Sequence, residues 1–491
     1  MDNHKDMFDK KVYVSRRAEL LRRMKGESGV AVFLGNVDAP ANYRGNDYKF
    51  RQDSTFLYFW GIDEPGFGAV LDLETGAETL YADDVDIDDI VWMGPQPSVR
   101  SKAELVGVGE NAGSTQDGVS APYCKFFEAV AAAKAAGRRV HFVPQSRYYN
   151  QMSLAQVLGL APELVSSRKL DGDSAASKAL VRAIVSMRLV KQDCEIEAID
   201  DACDLGIAMH TIAREGCRPG VLEQEIVGQM EGITLSKGWG VSFTTILSQN
   251  GETLHNHTHH QIITPGRLLV VDAGAESNIH YASDFTRTYP CGGKFTSQQK
   301  EIYDLVHSCN EFAFSMVRPG ITYREVHIAT VTKMLEGLKA AGLVSGDPAE
   351  LAADGIGGLF MPHGLGHNMG LDVHDMEDYG EDYVGYDDDQ KREGGVGLAN
   401  LRMARRLVPG NVITDEPGIY FIPALIAQFK RDALDKGRVN YARLEKEYSH
   451  FGGIRLEDDV LVTPDGARRL GHSRLPIASS DIERLMEGRG A

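Results

Sequence analysis

Thr264-Pro-Gly-Arg-Leu-Leu-Val-Val-Asp-Ala-Gly274 and Val408-Pro-Gly-Asn-Val-Ile-Thr-Asp-Glu-Pro-Gly418 are the two stretches on which the reading of this chain turns. Each is a Pro-Gly turn, a β-prone run, an acidic residue in register (Asp272 with Glu416) and a glycine. A second correspondence lies nearby. Arg218-Pro-Gly leads into a helical pattern with Glu225, and Arg318-Pro-Gly into one with Glu325, 100 residues on. Two independent matches indicate a duplicated α+β unit whose acidic strand ends lie around a pseudo-twofold axis. That is a natural place for a site.

The first third of the 491 residues has a different texture. Gly29-Val-Ala-Val-Phe-Leu, Phe56-Leu-Tyr-Phe-Trp and Gly68-Ala-Val-Leu-Asp-Leu are strand-like runs, with a turn at Glu74-Thr-Gly. A helical stretch over 122–137 and a strand at Val140-His-Phe-Val complete a mixed α/β region. Residues 174–215 are then Ala-rich, charged and helical in period, so the boundary is expected there: one domain over 1–174 and a second over 175–491.

Composition bounds the function. There are 52 basic and 70 acidic residues, a net charge of −18, so a nucleic-acid backbone or an anionic membrane is excluded as a general partner. Six cysteines without a C-x-x-C pair point to a reducing compartment. The N-terminus has no apolar signal region and no run has the length of a membrane span, so a cytoplasmic location is expected.

The residues that carry chemistry cluster in the second domain. Asp272 ends an apolar strand and Asp284 follows a Ser-Asn turn, so a hairpin would join the two carboxylates; taken singly, each reads equally as a turn cap. His363-Gly-Leu-Gly-His367-Asn-Met-Gly-Leu-Asp-Val-His374 places three histidines in twelve residues. Its glycines oppose a helix and no Glu follows His363, so the His-Glu-x-x-His protease pattern fails and a loop close to a ligand is expected. Its Gly-x-Gly is a weak dinucleotide signal. In Gly453-Ile-Arg455-Leu-Glu457, Arg455 and Glu457 share a strand face, either as a surface pair or as part of a site. Together Asp272, Asp284, His367, Glu416 and Glu457 make a ligand set of four carboxylates and one imidazole. Two divalent ions would neutralise it, Mn²⁺ being the first choice and Co²⁺ or Zn²⁺ compatible.

These residues resemble a known family. Val271-Asp-Ala-Gly-Ala-Glu, Ser283-Asp-Phe-Thr-Arg-Thr, His363-Gly-Leu-Gly-His, Asp415-Glu-Pro-Gly-Ile-Tyr and Gly453-Ile-Arg-Leu-Glu-Asp-Asp are similar to motifs of the dimetal Xaa-Pro peptidases, aminopeptidase P and prolidase, and occur in the family's order. Phe50-Arg-Gln-Asp-Ser-Thr-Phe-Leu-Tyr-Phe-Trp-Gly-Ile resembles the creatinase-type domain that precedes the catalytic one. The resemblance implies an α+β chain with a creatinase-like α/β domain followed by a pita-bread catalytic domain. It also implies two bound divalent ions, proline-containing peptides as substrate and a homodimer or homotetramer. By the same resemblance, Asp272, Asp284, His367, Glu416 and Glu457 are the metal ligands, and His255, His363 and His374 line the substrate. One departure stands out: Asp272 and Asp284 are twelve apart, one more than the family spacing, with His280 in the enlarged turn.

With such ions no nucleophilic side chain is needed. Glu416 is then expected to handle protons, His363 and His374 to donate to the developing oxyanion, and Arg455 to orient a ligand. The surrounding cluster of His257, His259 and His260 reads as solvated loop. Residues 377–406 resemble a prolidase insertion, in which Arg402 is placed to meet a dipeptide carboxylate, though a solvated basic cluster with Arg405 and Arg406 is the alternative. The Phe50-Arg-Gln-Asp-Ser motif suits aminopeptidase P as well, so the choice between aminopeptidase and dipeptidase stays open. A non-catalytic binding relative and a metal-free amidinohydrolase compete in class; both are disfavoured by the five occupied ligand positions. Methionine aminopeptidase leaves the first domain unexplained.

Overall fold

Residues 7–111, 119–395 and 397–487 are described in this computed structural model. They form two compact units, Met1–Arg188 with Met376–Tyr383, and Leu189–Asp375 with Val384–Ala491. The break thus falls at 188 rather than 174, one helix later.

In the first unit the expected strands β1 (Val30–Leu34), β2 (Gly68–Asp72) and β5 (Val140–His141) join two that the sequence reading did not name, β3 (Glu78–Tyr81) and β4 (Ser120–Ala121), in one sheet of order β4-β3-β2-β1-β5. The run Phe56-Leu-Tyr-Phe-Trp is not a strand. It lies in helix α1 (Ser54–Trp60), because Asp53 accepts the Phe56 N–H at 2.8 Å and Gly61 closes the helix at φ +65°. An apolar run this short has no period that separates the two, and its side chains are buried all round, with Trp60 edge-on to Phe33 at 6.0 Å. Helix α2 (Ile87–Met93) is capped by Asp86 and has no buried residue. Helix α3 (Lys178–Arg188) explains the later boundary. Its Arg188 donates to the buried Thr55 hydroxyl at 2.9 Å and its Ser186 accepts from Arg23 at 2.6 Å, so it packs with the first unit although its composition matches the second.

In the second unit, α4 (Asp193–Gly216) starts at a Gln192–Glu195 capping box and is followed by α5 (Glu223–Lys237). The duplicate pair is α6 (Ser297–Met316) and α7 (Tyr323–Ala340). The turns between them repeat in detail, with Gly220 at φ +88° and Gly320 at +90°. Each pair is accompanied by a three-stranded antiparallel sheet. One is β6 (Ile246–Ser248), β7 (Leu268–Ala273) and β8 (Phe285–Pro290), with β7 in the middle. The other joins β9 (Val412–Asp415), β12 (Asp458–Val462) and β13 (Ala467–Arg469), with β12 in the middle. Strands β10 (Gly418–Tyr420) and β11 (Gly453–Arg455) form a ribbon. The Gly453 run is therefore broken after Arg455, and at the break Glu457 bridges to Thr286 of β8, its N–H donating to the Thr286 carbonyl at 3.0 Å. Met209, Ile226, Met230, Leu269, Val271 and Ile302 sit in the core beneath these sheets. Among the described residues no helix is long and apolar enough to cross a membrane.

Candidate active site

The acidic ends of β7 and β9, with the Glu457 bridge, face one cavity of about 610 Å³ in the second unit, lined by all ten residues singled out in the sequence. The β7–β8 hairpin pairs Asp272 with Thr286, as the spacing required. Its additional residue is taken up at His280, which adopts φ +68°, sets Nδ1 2.8 Å from Glu276 Oε2 and packs its ring against Trp239. Pairing beyond the turn stays in register, and Asp284 reaches the cavity with its N–H donating to Asp459 Oδ2 at 2.8 Å.

Arg455 and Glu457 are 4% and 2% exposed, which removes the surface-pair alternative. Arg455 donates from Nη2 to Asp272 Oδ2 at 2.5 Å, from Nε to Thr286 Oγ1 at 3.0 Å and from Nη1 to the Tyr420 hydroxyl at 2.8 Å, while Thr286 donates to Glu457 Oε2 at 2.6 Å. One guanidinium and one hydroxyl thus hold two carboxylates in place.

The histidine segment is a loop, as its glycines required. A Cβ on Gly366 would collide with the Thr414 carbonyl oxygen, so only glycine lets the loop lie against β9. The His367 N–H donates to Thr414 Oγ1 at 3.0 Å. Its ring Nδ1 lies 3.1 Å from the Asn368 carbonyl oxygen, which can only accept, so Nδ1 carries a proton and, in the neutral ring, Nε2 presents a lone pair. That lone pair sits 3.4 Å from Asp284 Oδ2 and 3.7 Å from Glu416 Oε1. His374 stacks on His367 at 3.8 Å between centroids. His363 is differently engaged. Its Nδ1–H donates to the Gly364 carbonyl at 2.7 Å, and its Nε2, 3.0 Å from the Tyr420 oxygen, accepts that hydroxyl's proton. Burial pushes its pKa down to about 3, so the ring is neutral, and donation to a substrate requires it to release one of these partners. His255 and Arg402 line the cavity; burial, then Arg455, lowers the His255 pKa.

Electron-rich atoms are crowded here without compensation. Burial first, then neighbouring carboxylates, hold Asp284 and Glu457 well above the usual carboxylate range, and burial likewise raises Glu416. Asp272 Oδ1 and Asp284 Oδ1 are buried with no hydrogen-bond partner. Asp284, His367 and Glu457 offer ligand atoms all within 4.8 Å of one another. An imidazole lone pair aimed between carboxylates, with orphaned carboxylate oxygens beside it, is repulsive until a cation enters; this donor set fits divalent metal ions.

Residues 197–464 match the model of metallopeptidase family M24. The chain belongs to this family. Residues 13–117 of the M24 chain match the aminopeptidase P N-terminal domain. It is 29% identical to Homo sapiens Xaa-Pro dipeptidase, over 97% of this chain and 93% of that protein. It is 28% identical to a probable Xaa-Pro aminopeptidase of Ajellomyces capsulatus, over 99% and 92%. Zinc-substituted Escherichia coli aminopeptidase P in complex with product superposes with a TM-score of 0.77 at 28% identity, over 98% of both chains. The expected fold, a creatinase-like α/β domain followed by an M24 pita-bread domain, therefore holds.

Sequence reasoning passed over several neighbours. Tyr420 lies in the quoted Asp415-Glu-Pro-Gly-Ile-Tyr motif, and Thr286 two residues after Asp284 on the same strand face, a spacing that could have flagged it. Thr414, which accepts from His367 and donates to Glu416 at 3.3 Å, stands in the same relation to Glu416. Asp459 carried no separate signal, and His257, read with His259 and His260 as solvated loop, in fact lines the cavity.

Proposed function

We propose that this M24 metallopeptidase hydrolyses Xaa-Pro bonds at the N-terminus of peptides, using two divalent ions, Mn²⁺ first among them, held by Asp272, Asp284, His367, Glu416 and Glu457. The observation that carries this reading is the His367 Nε2 lone pair fixed 3.4 Å from Asp284 and 3.7 Å from Glu416 inside a ring of buried carboxylates. The names of the relatives, Xaa-Pro dipeptidase and probable Xaa-Pro aminopeptidase, support the substrate class. When bound, such ions supply Lewis acidity to the scissile carbonyl and acidify water. Glu416 takes a proton from the attacking water as its oxygen bonds the carbonyl carbon, then delivers it to the proline nitrogen as the C–N bond breaks. His374 and His363 face the oxyanion, with His363 turning from its present partners. Arg455 holds Asp272 in position. Proline suits the site because it brings no N–H that would need an acceptor. Assaying Ala-Pro and Ala-Pro-Ala with the Mn²⁺-loaded protein tests the reading; turnover of neither overturns it.

Arg402 bears on substrate length. It is half-buried on the cavity wall, where a guanidinium pairs bidentately with a dipeptide's carboxylate one residue beyond the scissile bond. Arg402→Ala is expected to lower kcat/KM for Ala-Pro by about 2 to 5 kcal/mol, roughly thirtyfold or more, while sparing Ala-Pro-Ala. Equal loss on both substrates, or none, assigns the chain to the aminopeptidase side.

A homo-oligomer, dimer or tetramer, is the expected assembly. It is supported by the exposed apolar row on α2, where Ile87, Val91, Trp92 and Met93 are 73%, 72%, 86% and 62% exposed. Light scattering at micromolar concentration should return a mass of two or four chains, and Trp92→Glu with Val91→Glu should reduce it. A monomer refutes the assembly and leaves the chemistry intact.

A further inference from the structure

His327 stands on α7, is absent from the cavity lining and is 2% exposed. Its Nε2 lies 3.1 Å from the Gly397 carbonyl oxygen. A carbonyl can only accept, so the proton sits on Nε2 and the other ring nitrogen is a bare acceptor. That Nδ1 is buried with no hydrogen-bond partner among the described residues. Burial pushes the ring's pKa down to about 4, so it is neutral under ordinary conditions. Leaving a polar atom buried and unsatisfied is destabilising, and an aliphatic residue on this face of α7 would avoid the loss. Core packing therefore does not account for the imidazole. Its single hydrogen bond to Gly397 does.

Gly397 opens the segment 397–402. It adopts φ +87°, which turns its carbonyl toward α7. Five residues on, the segment presents Arg402 to the cavity, with Asn400 beside it. Asn400 also donates from Nδ2 to the Pro362 carbonyl at 3.0 Å, next to His363. A second tie from the same helix joins Arg324 to Glu393 at 2.5 Å.

We infer that His327 is a positioning residue for substrate selection: by clamping the Gly397 carbonyl to α7, it holds the segment that presents Arg402 and Asn400 to the peptide's far end. The inference rests on the Xaa-Pro peptidase reading and adds a residue that touches neither substrate nor metal ligand. Its signature is a change in KM rather than kcat, confined to substrates whose carboxylate reaches this wall.

The test compares the wild type with His327→Ala, His327→Gln and Glu393→Gln, each loaded with Mn²⁺, on Ala-Pro and Ala-Pro-Ala. For His327→Ala, loss of one hydrogen bond should raise KM for Ala-Pro about three- to tenfold with kcat within about twofold. Metal content and KM for Ala-Pro-Ala should not change. His327→Gln, whose amide N–H₂ reaches the same carbonyl, should restore the wild-type KM. Glu393→Gln should move KM in the same direction by a smaller factor, and this exposed variant carries the test if His327→Ala does not fold. In an Arg402→Ala background, His327→Ala should add no further loss on Ala-Pro, because the two act through one contact. Equal KM changes on both substrates, a fall in kcat alone, loss of metal, or additive losses in the double variant would each overturn the inference. A wild type that cleaves neither peptide removes the peptidase reading itself, an outcome separable from all of these.

Discussion

Removal of metal from the purified protein by chelation is expected to lower kcat/KM on Ala-Pro by at least about a thousandfold, and Mn²⁺ or Co²⁺ to restore it. The expectation follows from the charge balance of the cavity. Four carboxylates, those of Asp272, Asp284, Glu416 and Glu457, face one imidazole whose proton is committed to the Asn368 carbonyl. Among the described residues the one cation in hydrogen-bond contact with them is Arg455, and it is bonded to Asp272. Burial first, and then the repulsion among these carboxylates, favour the protonated forms, so Asp284 and Glu457 stand well above the usual carboxylate range. A second consequence can be measured without activity. Metal binding near pH 7 should expel those protons, so the heat of Mn²⁺ binding should depend on the ionisation enthalpy of the buffer. Full activity in metal-free protein, or metal binding with no proton release, would sink the dimetal reading and revive the non-catalytic or metal-free alternatives.

Replacing Glu416 by Gln is expected to lower kcat by roughly 10² to 10⁴ with little change in KM, the range that positioned proton transfer supplies. Glu416 follows β9 directly, receives a hydrogen bond from Thr414 at 3.3 Å and lies 3.6 Å from His363 and 3.7 Å from His367. Burial raises its pKa above the ordinary glutamate value, which favours its holding a proton between the two steps. Glutamine keeps one oxygen for a cation and the same shape but cannot carry the proton between water and the proline nitrogen. Metal content measured on the same preparation separates the two duties. Unchanged metal with a collapsed kcat supports proton handling, whereas a pure KM effect, or loss of metal matching the loss of rate, removes it.

How much of this was legible in the chain varies with the range of the interaction. The turns at Arg218-Pro-Gly220 and Arg318-Pro-Gly320 were readable because Pro and Gly impose backbone geometry on themselves; both glycines adopt φ near +90°. Helix α4 was readable in the helical period of residues 174–215, and the structure closes its start with a capping box over four residues, Gln192 to Glu195. The β7–β8 hairpin and the shared face of Arg455 and Glu457 followed from the two-residue period of a strand. Local rules failed where two conformations satisfied them equally. Phe56-Leu-Tyr-Phe-Trp satisfied a buried strand, yet Asp53 and Gly61 at its ends made it helix α1. The unit boundary was placed by texture at 174, and α3 carries the texture of one unit while bonding within the other.

The sequence by itself determined which residues could bind and react: the acidic strand ends at Asp272 and Glu416, the histidine loop whose glycines admit no helix, and the duplicated frame that brings them together. It did so because residue type, strand period and turn geometry act over a few positions. Only the tertiary structure decided the protonation and partners of these groups. His367 turns Nε2 toward the carboxylates because its Nδ1–H donates to the Asn368 carbonyl. His363 became neutral because burial disfavours its charged form, and doubly bonded because Gly364 and Tyr420 lie on either side of its ring. Arg455 bonded Asp272, 183 positions away, in addition to standing beside Glu457. Desolvation and hydrogen bonding depend on which distant segments close over a side chain, and that is a property of the packed fold, which no local pattern encodes.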